Sequence, residues 1–122
     1  MYIEMPRGDY RPLRFPLKNK AGEILDIDVD EIYISCKEDT KNASELLFQK
    51  RLSSGDITKD DKGYHFGIMP EDTEDLNYGD YKIDIEIYRE SPLLKQTIVG
   101  TLHLDEEVTH KKDEGWCEWK KK

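Results

Sequence analysis

Three histidines, two cysteines and 27 acidic residues are the general acids, bases and metal ligands of this 122-residue chain. Spacing decides what they can do. His65, His103 and His110 share no His-x-His or His-x-x-x-His interval, the spacing that puts two imidazoles on one face of a strand or helix for a metal. His65 and His103 fall on segments that read as strands, where they point outward. Cys36 alternates with Ile32 and Ile34 and reads as core. Cys117 falls between Trp116 and Trp119, in no metal-ligand spacing. Two thiols make no disulfide scaffold and predict folding in a reducing compartment. The sequence contains no Gly-x-Ser-x-Gly elbow and no Gly-rich phosphate loop. With no constellation for catalysis, the expectation is a non-enzymatic protein that needs no cofactor and no metal.

The acids cluster in three places: Asp26, Asp28 and Asp30; Asp56, Asp60 and Asp61; Glu71, Asp72, Glu74 and Asp75. Calcium sites need several carboxylates converging on one point. Asp56 to Asp60 breaks the EF-hand pattern, with Lys59 inside and no Gly at the sixth position. Asp26, Asp28 and Asp30 share one face of an extended segment, but neighbours stand about 7 Å apart, too wide for one ion. All three clusters read as solvated faces. Arg7-Gly8-Asp9 matches the integrin-binding tripeptide, but a three-residue match reads more simply as a turn before the first strand. Asn42-Ala43-Ser44 is a glycosylation triplet, relevant only to a secreted chain.

One pattern carries a structural role. Leu76-x-x-Gly79-x-Tyr81 leads into the strongest strand, the arrangement of a tyrosine corner. Its ring packs inside and its hydroxyl bonds to backbone just upstream, tying the crossover between two sheets.

The strands that must position these residues are legible from alternation. Tyr81, Ile83, Ile85 and Ile87 face one way; Lys82, Asp84 and Glu86 face the other. Ile98, Leu102 and Leu104 repeat the pattern, as do Ile32, Ile34 and Cys36, then Tyr64, Phe66 and Ile68. Leu13, Phe15 and Leu17 form a first strand. Pro12 and Pro16 cannot donate to a ladder, so that strand should be an edge or broken by a bulge. Turn residues stand between the runs at 19–22, 53–56, 60–63 and 77–80. Residues 42–51 favour a strand with Leu46 and Phe48 inward over a helix capped by Asn42 and Glu45. Pro70 to Leu76 reads as one helical turn, with Pro at the first position and acids in the first turn. The fold expected is an all-β, immunoglobulin-like antiparallel β-sandwich of about seven strands over residues 1–109.

Residues 110–122 read as a flexible or partner-docked tail. Lys111 to Lys122 carries five Lys against Asp113, Glu114 and Glu118, a charge of 5 − 3 = +2, so the first 110 residues carry −8 − 2 = −10. Trp116 and Trp119 are either anchors for a partner or caps on the chain's own sandwich. A net −8 and pI near 4.9 argue against binding nucleic acid through its phosphates. The longest unbroken apolar run is Leu46 to Phe48, too short to span a membrane. Glu4 sits where a secretory signal needs a cationic lead and an apolar stretch.

The order of these motifs carries a resemblance. Arg7-Gly8-Asp9 precedes the Leu13, Phe15, Leu17 strand and a Gly22 turn. Ile32–Lys37, Leu47-Phe48-Gln49-Lys50, Gly63-Tyr64-His65-Phe66 and Pro70-Glu71-Asp72-Thr73 follow. Leu76-x-x-Gly79-x-Tyr81 and a closing Gly100-x-Leu102-x-Leu104 complete it. Over roughly residues 7–109 the chain resembles small immunoglobulin-like proteins of phages and prophages of Gram-positive bacteria. These are similar to the N-terminal domain of the phage baseplate upper protein. The resemblance implies an immunoglobulin-like sandwich with a structural place in a virion, made in the bacterial host cytoplasm. Its partners would be other virion proteins, further copies of itself included. It carries over no catalytic residues. Absence of a long receptor-facing extension is a departure from that family.

Two functional readings follow. The leading one is a virion structural or accessory module acting by protein–protein contact. The alternative is a small acidic inhibitor whose carboxylates imitate nucleic-acid phosphates to a basic host defence protein.

Overall fold

The computed structural model describes residues 1–18, 21–25, 28–38, 45–91 and 93–106. Ten strands and one short helix follow in chain order: β1 (Tyr2–Pro6), β2 (Arg11–Phe15), β3 (Leu17–Lys18), β4 (Ile24–Leu25), β5 (Glu31–Lys37), β6 (Leu46–Arg51), β7 (Ile57–Asp60), β8 (Gly63–Ile68), α1 (Pro70–Thr73), β9 (Gly79–Arg89) and β10 (Leu94–Asp105). They form a five-stranded sheet in the order β1-β10-β9-β5-β6, a three-stranded sheet β2-β8-β7 and a β3-β4 ribbon. The two larger sheets face each other as a sandwich. With β9 in the place of strand F, β10-β9-β5-β6 follows the G-F-C-C′ order of immunoglobulin-like domains and β2-β8-β7 follows B-E-D.

Alternation explains the packing. Ile32, Ile34 and Cys36 of β5 are fully buried beside Ile83, Ile85 and Ile87 of β9 and Leu102 and Leu104 of β10. The register puts Ile34 opposite Ile85 and Ile32 opposite Ile87, so β-branched side chains stack in rows across the sheet. Tyr64, Phe66 and Ile68 of β8 and Ile57 of β7 close the core from the other layer. Phe15 packs edge-on to Phe66 with centroids 6.2 Å apart.

Three features differ from the sequence expectation. The five-stranded sheet is mixed, not antiparallel, because β1 runs parallel to β10, with Ile3 opposite Leu102 and Met5 opposite Leu104. Ile3 and Met5 are both buried, and this five-residue alternation is too short to stand out in sequence. Strands number ten among the described residues rather than about seven. The added ones are β1, β7 and the short β4, while the first expected strand divides at Pro16 into β2 and β3. β2 is indeed an edge, pairing only with β8, which tolerates Pro12.

The third difference concerns Leu46, which is exposed rather than inward. Residues 46–51 are a strand, but the β5–β6 register shifts at Cys36/Lys37, so Cys36 faces Phe48 while Lys37 faces Leu46. That bulge hands the inward place to Leu47, which packs against the core.

Two glycines are required by close approach. At Gly63, φ is +127° and a Cβ would lie 2.7 Å from the Phe15 carbonyl oxygen. At Gly100, a Cβ would collide with the Met1 carbonyl oxygen, so its absence lets β1 lie against β10.

Candidate functional site

The corner between the sheets joins the turn after β1 to the segment that leads into β9. The Tyr81 ring is buried, and its hydroxyl donates to the Asn77 carbonyl oxygen at 2.6 Å. Burial raises the Tyr81 pKa from its ordinary value, with the charge of Glu38 adding to it. Leu76 packs against the core and Gly79 opens β9 at φ +126°. Arg7 closes the outside: one guanidinium nitrogen donates to the Leu76 carbonyl oxygen at 3.0 Å, another to the Tyr78 hydroxyl at 3.1 Å. The guanidinium also lies 4.3 Å from the Tyr78 ring centre. The backbone N–H of Gly8 donates to Oγ1 of Thr73 in α1. The Arg7-Gly8-Asp9 turn therefore follows β1 and is bound into its own domain, with Arg7 committed to intramolecular contacts.

Five acids of the three clusters are held by partners within the chain. Asp28 pairs with Lys59 at 3.0 Å, and Asp60 with Arg14 at 2.9 Å. Asp72 pairs with Lys50 at 2.6 Å and accepts the Met69 N–H, which starts α1. Asp30 accepts the Glu90 N–H and Asp56 accepts the Arg51 N–H. Asp26 lies outside the described residues. Cys36 is buried, and burial followed by the charge of Asp72 pushes its pKa up to about 12, the condition of a packing residue rather than a nucleophile. Asn42 to Ser44, His110, Trp116, Cys117 and Trp119 lie outside the described residues.

Two hollows among the described residues bear on contact with a partner. A polar one of about 430 Å³ lies on the three-stranded sheet, with Tyr10, Arg14, Asp56, Thr58 and His65 on its walls. The Thr58 hydroxyl is 2.9 Å from His65 Nε2. The second, about 280 Å³, opens between the two sheets beside β1 and is apolar: Met1, Ile3, Phe15, Phe66, Ile85 and Ile98 contribute. At its mouth, Met1 and Tyr2 are exposed, Tyr2 by 62%. Val99, 60% exposed, stands nearby on the outer face of β10. β1 is the last strand of its sheet, pairing only with β10.

Sequence reasoning missed one constellation. On the outer face of the five-stranded sheet, Glu4 of β1 lies opposite His103 of β10, and His103 lies opposite Asp80 of β9. His103 Nδ1 is 2.5 Å from Asp80 Oδ1, and Nε2 is 3.0 Å from Asp105 Oδ1. The Tyr2 ring stacks alongside the imidazole, centroids 6.5 Å apart. The Asp80 bond, with the charges of Asp105, Asp80 and Glu4, raises the His103 pKa against the opposing effect of partial burial. Only the β9–β10 half of this row was open to inference from sequence, since an antiparallel register could be counted along the two strands. Glu4 arrives through a parallel pairing about a hundred residues away.

No helix among the described residues is long and apolar enough to cross a membrane. No protein-family model matches the chain, and no curated protein matches it.

Proposed function

We propose that this chain is a non-enzymatic structural or accessory module of a phage or prophage particle, working by protein–protein contact. The observation that carries the contact reading is the apolar groove beside β1, flanked by exposed Met1 and Tyr2 at the free edge of the sheet. Aromatic and Met side chains are enriched in interface cores, and an unpaired strand edge can accept a partner's strand. The placement in a particle rests on the resemblance of the motif order to phage immunoglobulin-like proteins.

The occupant favoured is the tail of a neighbouring copy. The tail pairs two Trp with a +2 charge, against −10 for the preceding residues, both read from the sequence. Such a head-to-tail contact propagates or closes into a ring. Asp28, Asp60 and Asp72 are paired within the chain to Lys59, Arg14 and Lys50, which favours the contact reading over imitation of a row of phosphates. One reading is therefore kept.

Truncation after Val108 tests it. The shortened chain should keep its circular dichroism and melting cooperativity but lose assembly in sedimentation. The chain should also be recovered from purified particles by mass spectrometry. Normal assembly of the truncated chain overturns the tail contact, and absence from particles overturns the virion placement.

A further inference from the structure

We propose that Glu4, His103 Nε2 and Asp105 bind a divalent transition-metal ion, zinc fitting best, with Asp80 orienting the imidazole. The row is a product of strand pairing. Glu4, His103 and Asp80 are direct cross-strand neighbours on β1, β10 and β9, and Asp105 stands two residues beyond His103 on the same face. One donor atom from each of Glu4, His103 and Asp105 lies within 4.8 Å of the others. A tetrahedral zinc site with bonds near 2.1 Å needs its donors about 3.4 Å apart. The Nε2–Asp105 separation is 3.0 Å, and a Glu4 carboxylate oxygen lies within 4.8 Å of both donors.

The second argument is the orientation of the imidazole. Asp80 holds the imidazole by Nδ1, so Nε2 is the nitrogen that faces the Asp105 carboxylate, and a metal there would displace the Nε2 proton. This is the carboxylate–histidine–metal arrangement, in which the outer carboxylate sets the tautomer and strengthens the ligand. The third argument is charge. The carboxylates of Glu4, Asp80 and Asp105 surround one imidazole, an excess of negative charge that a bound cation offsets. Lys82 faces outward one row away, opposite Thr101, and the Arg11 guanidinium is engaged with the Glu4 carbonyl oxygen.

Chemistry selects the ion. Imidazole with two carboxylates is a mixed nitrogen–oxygen set suited to zinc and its neighbours. Calcium wants six to eight oxygens, and magnesium prefers octahedral oxygen with retained water. Bound zinc would join the edge strand β1 to β10 and hold it there, so binding should appear as stability.

The test uses the full chain, stripped with a chelator and exchanged into chelator-free buffer. Zinc chloride should bind with one-to-one stoichiometry by calorimetry and raise the melting temperature. Cobalt substitution should show a visible spectrum without an intense thiolate band, which separates this site from Cys117. Glu4→Gln and His103→Gln should each abolish the rise. Asp80→Asn should keep the stoichiometry and weaken affinity by about 10–100-fold. Glu4 is exposed, so E4Q keeps the test valid if H103Q folds poorly. The proposal is overturned by no heat and no shift at zinc up to about 100 µM, affinity tighter than which corresponds to roughly 5.5 kcal/mol. It is equally overturned by a thiolate band, by zinc binding unchanged in E4Q and H103Q, or by calcium giving an equal shift.

Discussion

Gly8 and Thr73, 65 residues apart, are joined by one hydrogen bond: the Gly8 N–H donates to the Thr73 hydroxyl at 2.8 Å. Thr73 is fully buried in α1, and through it the turn after β1 is held to the crossover before β9. Thr73→Val keeps the shape and removes the acceptor. The Gly8 donor then loses its partner in a part-buried place, and the expected loss is about 1–3 kcal/mol in urea unfolding. Thr73→Ser, which retains the hydroxyl, should lose less. Equal stability of the valine variant and the parent would show that water replaces the bond.

The Tyr81 hydroxyl offers a comparable test on the other side of the same crossover. Tyr81→Phe keeps the buried ring and deletes the bond to the Asn77 carbonyl. The expected cost is roughly 1 kcal/mol, read as a lower urea midpoint with an unchanged slope. A change in slope would instead report a rearranged ensemble.

Cys36 should be chemically silent in the folded chain. With its pKa pushed up to about 12 by burial and by the charge of Asp72, only about one thiol in ten thousand is thiolate at pH 8. Iodoacetamide followed by peptide mapping should leave the Cys36 peptide unmodified in native buffer and label it in guanidinium. Native labelling at the rate of a free thiol would mean that β5 opens locally.

Asp60 gives a pH dependence with a definite sign. Its carboxyl is held below the usual carboxylate range, chiefly by the Lys62 N–H and then by the Arg14 guanidinium. A depressed folded-state pKa contributes stability that is present above the unfolded value of 3.8 and is lost as pH falls through the folded value. Asp60→Asn should therefore be less stable than the parent at pH 5, and the gap should shrink as pH falls below about 4. A gap that stays constant down to pH 2 would assign the effect to the asparagine rather than to the charge.

The sequence by itself determined the layers. Period-two alternation in β5, β8, β9 and β10 marks which side chains face inward, because a strand with one buried face can satisfy its apolar residues in only one phase. It also marked the turns at 53–56 and 60–63 and the single helical turn at Pro70, and it put Leu76, Gly79 and Tyr81 at the entry to β9, since these are local conformational demands. What it did not determine is pairing between distant strands. β1 is five residues with two buried side chains, too little signal to separate from a loop, and its parallel place beside β10 exists only once the sheet is formed. The β5–β6 bulge exchanged Leu46 for Leu47 by a register shift that no composition records. The His103 row has the same origin. Glu4, Asp80, His103 and Asp105 are unremarkable apart, and three strands from the two ends of the described chain had to lie side by side before their donors met.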